Sequence, residues 1–333
     1  MRVTIKDISK LSGISTSTVS RVLTNNVHVS PETVRKVKEA ADRLGYIPNG
    51  AARSLVNNRR NMIGLIVPEL ENPFYTEVIQ GVEETAASHG YGTILSCHMG
   101  NEDVCDSIPK LLELGVDGII HAGLLQDETQ MQYLAETNIP YVLLGRKLEN
   151  AESSYVVCND YGSSYEAARY LIELGHREIV FLFGKQKSFS SHQKLNGYLD
   201  ALKDAGIRKN EKLIVKGNLS FDGACQAITR LLEEQVGFTA ILGSNDMMAI
   251  GAMDALSHGR LRVPGDISVI GIDDIFWAKV RGIDLTTIHV PKYEMGCKCF
   301  EILKNLIEDP EAEEVHCVLE GSLIRRNSCR TIE

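Results

Sequence analysis

Long apolar runs are missing from this chain. The longest, such as Met62–Val67, fall far short of the ~18 residues that suggest a membrane span. The eight cysteines show neither framework spacing nor a C-x-x-C pair. That excludes a disulfide scaffold and argues against a zinc site, so no metal or other cofactor is expected. The opening M-R-V-T-I-K-D has no apolar h-region, so no secretory leader is expected and a reducing cytoplasm fits best. Neither G-x-G-x-x-G nor G-x-x-x-x-G-K-[ST] occurs, which disfavours a dinucleotide or nucleoside-triphosphate enzyme. What remains is ordinary: 333 residues, 44% hydrophobic and 24% charged, enough for two or three soluble domains.

The net charge of -9 hides a split. Residues 1–60 hold eleven Lys/Arg against four Asp/Glu, a surplus of +7, which leaves the remainder at -16. A basic head on an acidic body suggests a polyanion-binding module on a soluble carrier, or else a solvated helical face. The pattern inside the head has to decide. Thr4-Ile5-Lys6-Asp7 reads as an N-cap with an acid at N3. Ile5, Ile8 and Leu11 then form a short apolar face that Gly13 ends. Ser15 is a second N-cap candidate, and Val19, Val22 and Leu23 give the next helix its inward face. Ser30-Pro31 starts a third helix with the stripe Val34, Val37, Ala41 and Leu44, and Gly45 stops it. Two short helices joined by a glycine turn describe a helix-turn-helix. The second helix begins with short polar residues that let backbone approach base edges, and Arg21 one turn on suits guanine or phosphate. By spacing alone, Thr16 and Ser17 could equally be capping residues and Arg21 a surface arginine. After Tyr46, the A-A-R-S-L segment is too short for a stable helix by itself and reads as a linker that folds when held.

Beyond residue 60, short apolar runs alternate with amphipathic stretches. The runs are Met62–Val67, Gly92–Ser96, Gly118–His121, Tyr141–Leu144, Ile179–Phe183, Ala240–Leu242 and Ile267–Ile270. Thr76–Ser88, Ser163–Leu174 and Asp246–His258 have helical spacing between them. This rhythm predicts parallel sheets covered on both faces, in two similar halves. Ligands in such sheets lie beyond the carboxyl ends of the strands. Those positions read P-E-L-E-N-P-F-Y, Gly145-Arg146, G-K-Q-K-S-F-S-S-H-Q-K, Gly243-Ser244-Asn245-Asp246 and Gly271-Ile272-Asp273-Asp274. Aromatic faces with Arg, Asn and Asp suit a small polyhydroxylated ligand, although Asn245 and Asp246 could simply cap a helix and Phe74 could be core.

The strings T-I-K-D-I-S-K-L-S-G-I-S-T-S-T-V-S-R-V-L-T-N and L-G-Y-I-P-N resemble the head of the lactose-repressor/galactose-repressor (LacI/GalR) family of bacterial transcription regulators. S-N-D-M-M-A-I-G-A-M, V-P-G-D-I-S-V-I-G-I-D-D and L-T-T-I extend the resemblance essentially end to end. The resemblance implies an all-α helix-turn-helix head plus an α/β core of two parallel-sheet subdomains like the periplasmic binding proteins. It implies a head at 1–46, a hinge helix and linker at 47–60, and an effector-binding, dimerising core at 61–333. The core would divide into about 61–158 plus 290–320, and about 159–289 plus 321–333. It also implies that Thr16, Ser17 and Arg21 read the major groove, with Thr4, Ser15, Thr18, Ser20, Asn25, Tyr46, Asn49 and Ala52 in the DNA-contacting set. Leu55 takes the place of the wedge that enters the minor groove. Effector contacts fall by resemblance on Phe74, Tyr75, Arg146, Asp160, Ser188, Ser190, Lys194, Asn245 and Asp273, with Leu219 or Phe221 as an apolar wall.

Departures stand out at four positions. Ser9 and Ser12 occupy positions where the family usually has Ala. Lys194 replaces an expected Arg, so a bidentate fork becomes a point charge, and Gly145 replaces a frequent Asp. Arg146 with Lys194 would accept a phosphate or carboxylate, so a sugar, sugar phosphate or sugar acid is the expected effector. The expected partners are a pseudo-palindromic double-stranded operator, that effector and a second copy of the chain, with no membrane. The expected function is a repressor, in the cytoplasm and on the nucleoid when bound, and not an enzyme. A solute-binding protein or a sugar-processing enzyme on the same core is the alternative. Cys297-x-Cys299 and Cys97-His98 are no metal clamps. Adjacent Asp273 and Asp274 are a poor acid/base pair, and Met247, Met248 and Met253 read as packing.

Overall fold

The computed structural model describes residues 3–23, 29–46, 59–97, 107–122, 133–147, 153–186 and 188–332. They fall into two units, Met1–Asn61 and Met62–Glu333. In the first, α1 (Ile5–Ser12), α2 (Thr16–Leu23) and α3 (Pro31–Arg43) enclose Ile8, Val19, Val22, Val37, Ala40 and Ala41. The caps follow from the sequence. The Thr4 backbone N–H donates to the Asp7 carboxylate at 2.8 Å, Thr18 N–H to Ser15 Oγ at 3.3 Å, and Thr33 N–H to Ser30 Oγ at 3.4 Å. Leu11 is a correction: it is 49% exposed, on the last turn of a helix too short to bury a full stripe. The two unusual serines find work in the turn. Ser9 Oγ donates to the Ile14 carbonyl at 2.6 Å and Ser12 Oγ to the Ile8 carbonyl at 2.7 Å.

The second unit holds two six-stranded sheets among the described residues. The first lobe contains β1 (Met62–Val67), β2 (Gly92–Cys97), β3 (Gly118–His121), β4 (Tyr141–Leu144) and β5 (Tyr155–Cys158). The second contains β6 (Ile179–Phe183), β7 (Ile214–Lys216), β8 (Ala240–Gly243), β9 (Ser268–Asp273) and β10 (Thr286–His289). Near the chain's end, β11 (His316–Leu319) returns to the first sheet and β12 (Ser322–Ile324) to the second. The orders are β11-β5-β4-β3-β1-β2 and β12-β10-β9-β8-β6-β7. Each is a doubly wound sheet with one added edge, which is parallel in the first lobe and antiparallel in the second. Met62 pairs with Gly92 and Ile179 with Ala240, so strand ends align toward one edge of each sheet.

Helices α4 (Phe74–Ser88) and α5 (Ser107–Leu114) follow β1 and β2; α6 (Asp160–Glu173) and α7 (Phe189–Asp204) follow β5 and β6. Then α8 (Phe221–Glu233) and α9 (Asp246–His258) cover the second sheet, and α10 (Lys292–Glu308) returns to pack on α4 in the first. The chain therefore crosses between lobes three times, after Cys158, His289 and Leu319. Val78, Val82, Phe300 and Leu303 fill the first lobe under α4 and α10, and Phe181, Tyr198 and Leu202 lie under α7. Burying each such side chain contributes about 1.5–3 kcal/mol.

Two helix pairs approach backbone to backbone. A Cβ at Gly197 would stand 2.2 Å from the Tyr161 carbonyl oxygen, which fixes α6 on α7. A Cβ at Gly81 would stand 2.1 Å from the Tyr293 carbonyl oxygen, and one at Gly296 2.3 Å from that of Val78, which fixes α4 on α10.

Several element ends differ from the periodicity, most by one residue and three by more. The α4 helix starts at Phe74, because Asn72 Oδ1 accepts from Phe74 N–H at 3.1 Å. The α6 helix starts at Asp160, because Asn159 Oδ1 caps Gly162 N–H at 2.9 Å. Strand β9 runs on to Asp273 beside β10.

Candidate functional site

Both sheets point their carboxyl ends at one cavity of about 170 Å³. The first lobe supplies Glu69 and Asn72 from the turn after β1, then Phe74 and Tyr75 from the start of α4. The two rings meet edge to face, centroids 5.2 Å apart at 79°. Burial pushes the Tyr75 phenol far up, so it stays a protonated donor. Arg146 enters from the end of β4, and burial lowers its pKa. Gly145 before it has φ 73, a left-handed turn that an Asp side chain would enter only under strain.

The second lobe supplies Lys185, Ser188, Phe189, Ser190 and Lys194 around the start of α7. Ser188 Oγ caps Ser191 N–H at 3.2 Å. The Gly197 contact brings Lys194 against the first residue of α6, and its Nζ lies 3.2 Å from Asp160 Oδ1, both side chains nearly buried. Burial opposes the Lys194 charge, but Asp160 and Asp273 outweigh it and its pKa is raised. Leu219 reaches the cavity from a turn in which it and Asn218 are both left-handed, φ 62 and 55. Asn245 does two things: Oδ1 caps Met248 N–H at 2.8 Å, and Nδ2 donates to the Leu219 carbonyl at 3.2 Å.

Asp273 closes the floor. Its carboxyl is buried, and burial pushes its pKa up to about 8 against the pull of Lys194, with Asp246 adding repulsion. Asp274 turns elsewhere: Arg326 donates to it at 2.6 Å and His289 lies 3.1 Å away. The two acids therefore do not share a substrate face. Asp246 sits beneath, accepting from Thr287 Oγ1 and from Ile275 N–H at 2.9 Å.

Of the residues expected around an effector, Phe74, Tyr75, Arg146, Asp160, Ser188, Ser190, Lys194, Leu219, Asn245 and Asp273 line this one cavity. Phe221 does not: it starts α8 with its carbonyl against Gly251, and Leu219 alone makes the wall. Sequence reasoning did not single out Glu69, Asn72, Lys185 or Phe189, although all four lie in the strings that follow β1 and β6. Cys158, Val290 and Met295 arrive with the lobe crossings, which no local pattern announces. Burial pushes the Cys158 thiol up to about 11, so it is no nucleophile. Met248 is core. Among the described residues no cluster of His, Cys, Asp and Glu could hold a metal.

In the head, Ser15, Thr16, Ser17 and Arg21 are exposed along one side of α2, and Thr18 and Ser20 are half-buried. Thr4 is exposed and its hydroxyl donates to Asp7 at 2.7 Å, while Tyr46 packs on the head's core. Asn25, Asn49, Ala52 and Leu55 lie outside the described residues.

Residues 4–49 match the model of bacterial regulatory proteins of the lacI family. Residues 60–322 match that of periplasmic binding proteins and the sugar binding domain of the LacI family. The chain belongs to the LacI family of bacterial regulatory proteins. It is 36% identical over 332 residues, 99% of each chain, to the HTH-type transcriptional repressor PurR of Vibrio atlanticus (strain LGP32). The lac repressor dimer bound to operator and the anti-inducer ONPF superposes with a TM-score of 0.89 at 29% identity, covering 99% of this chain and 100% of that one. The regulator CelR in complex with cellobiose gives 0.75 at 31%, covering 98% and 100%. The head separates this LacI-family chain from a transport binding protein, and the family consists of regulators, not enzymes. It is thus a DNA-binding repressor under small-molecule control, acting in the cytoplasm where bacterial DNA lies. No helix among the described residues is long and apolar enough to cross a membrane.

Proposed function

We propose that the effector is a single-ring sugar carrying an anionic group, a sugar phosphate or sugar acid, held in the interlobe cavity. The observation that carries this is the charge of the lining. Arg146, Lys185 and Lys194 share the lining with Glu69, Asp160 and Asp273, and burial shifts Asp273 toward its protonated form. Phe74 and Tyr75 offer apolar faces to the ring, Asn245 and the serines Ser188 and Ser190 take hydroxyls, and Leu219 forms the wall.

The working form is a homodimer that sets two heads on a pseudo-palindromic operator, where it joins the nucleoid. Thr16, Ser17 and Arg21 read bases, and residues 47–60 are the hinge, with Leu55 entering the minor groove. Effector binding changes lobe closure and hence the spacing of the two hinges. A differential affinity of about 1–3 kcal/mol between the two states is enough for control.

The test is a thermal-shift and calorimetric panel of neutral sugars, sugar phosphates and sugar acids on the full chain. Stabilisation by charged members is expected. Tight binding of neutral sugars with none of the charged ones would refute the anionic effector. Asp273→Ala should abolish the effector response while leaving operator affinity intact in a gel-shift series, and an unchanged response removes Asp273 from the site.

A further inference from the structure

We propose that Lys292 is a positioning residue for the effector site, holding the Asp273–Asp274 corner of the second lobe and joining it to the first-lobe helix that carries Phe74 and Tyr75. The inference rests on the cavity being the effector site. Lys292 is the first residue of α10, just past a lobe crossing, and it is fully buried. Its Nζ donates to the Asp273 carbonyl at 2.6 Å, the Asp274 carbonyl at 3.1 Å and the Val290 carbonyl at 3.2 Å. These acceptors match the three donors of an ammonium group. The countercharge comes from the first lobe, to which α10 itself belongs: Glu77 Oε1, on the first turn of α4, lies 3.4 Å away.

The corner it holds needs holding. Asp273 has φ 129 and Asp274 φ 56, two consecutive non-glycine residues in the left-handed half of backbone space. Such geometry persists only where surroundings over-determine it. The twist sends the Asp273 carboxyl into the cavity and the Asp274 carboxyl to Arg326. On the other side, the Gly81 and Gly296 contacts make α4 and α10 one stiff body. Lys292 and the Phe74–Tyr75 pair therefore move together, and the ammonium transmits that movement to Asp273. A buried ammonium is seldom the most stable filling for such a space, so its presence points to positioning.

The test uses the full chain with Lys292→Met, Lys292→Arg and the half-exposed Glu77→Gln. Hydrogen exchange needs no ligand. The Ile275 amide of the second lobe and the Val290 amide at the crossing should exchange faster in Lys292→Met and in Glu77→Gln, near the wild-type rate in Lys292→Arg, and Glu77→Gln should melt with the wild type. Calorimetry with glucose 6-phosphate, gluconate and glucose should show Lys292→Met binding about tenfold to a hundredfold more weakly, with Lys292→Arg recovering most of the loss. Unchanged exchange in Glu77→Gln together with undiminished binding in Lys292→Met overturns the role. Should the wild type bind none of the three probes, the effector reading fails, and the exchange rates alone judge Lys292.

Discussion

Each lobe packs two helices through glycine and sets a buried lysine against an acid at the start of the partner helix. In the second lobe the pair is Lys194 with Asp160, through Gly197. In the first it is Lys292 with Glu77, through Gly81 and Gly296. The lysines differ in what else they touch. Lys194 lines the cavity, while Lys292 spends its donors on carbonyls behind it. One fold device thus serves once as a ligand group and once as a frame. Burial of a charged side chain does not by itself tell which.

The largest effect that sharpens this contrast is Asp160→Ala. It strands the Lys194 ammonium and should cost about 3–5 kcal/mol in urea unfolding. Glu77→Ala, its counterpart, should cost no more than about 1 kcal/mol, because Glu77 is 40% exposed and Lys292 keeps its carbonyls. Equal losses would erase the distinction. Next comes pH. The Asp273 pKa is raised on folding, so its contribution to stability is complete below the ordinary carboxylate range and lost as pH rises through about 8. Asp273→Asn cannot ionise, so its melting temperature relative to wild type should climb between pH 5 and pH 8.5; a constant offset would contradict this. The smallest effect is at a contact between the lobes. Lys147 from the first lobe lies 5.2 Å above the Phe189 ring of the second. Lys147→Ala should change stability by about 0.5–1 kcal/mol and speed ligand release in stopped flow.

How much the sequence revealed follows the same division. The buried strands β1, β3, β4 and β6 are legible to the residue from their apolar runs, whereas the short β5, though buried, is not. Strands β10, β11 and β12 were not, because Thr286 and Thr287 are buried polar residues and His316–Leu319 alternates at an exposed edge. The α4 and α6 helices start before their apolar periodicity does, since their first residues are polar or aromatic and take their cues from asparagine caps. Residues at strand ends were legible as a group. Cys158, Val290 and Met295 were not, because a crossing between lobes leaves no periodic mark. Lys292 was invisible for another reason: in sequence it is a lysine after a proline, and only the three carbonyls give it meaning.

The triple crossing has a consequence for how the molecule is made. The α4 surface is covered by α10, whose residues leave the ribosome some two hundred positions after α4 does. Until then the first lobe carries a naked apolar flank around Val78 and Val82 and lacks its β11 border. The growing chain is therefore exposed to clumping for most of its synthesis and calls for chaperone cover. A messenger cut short before α10 yields neither a working sensor nor a tidy fragment of one.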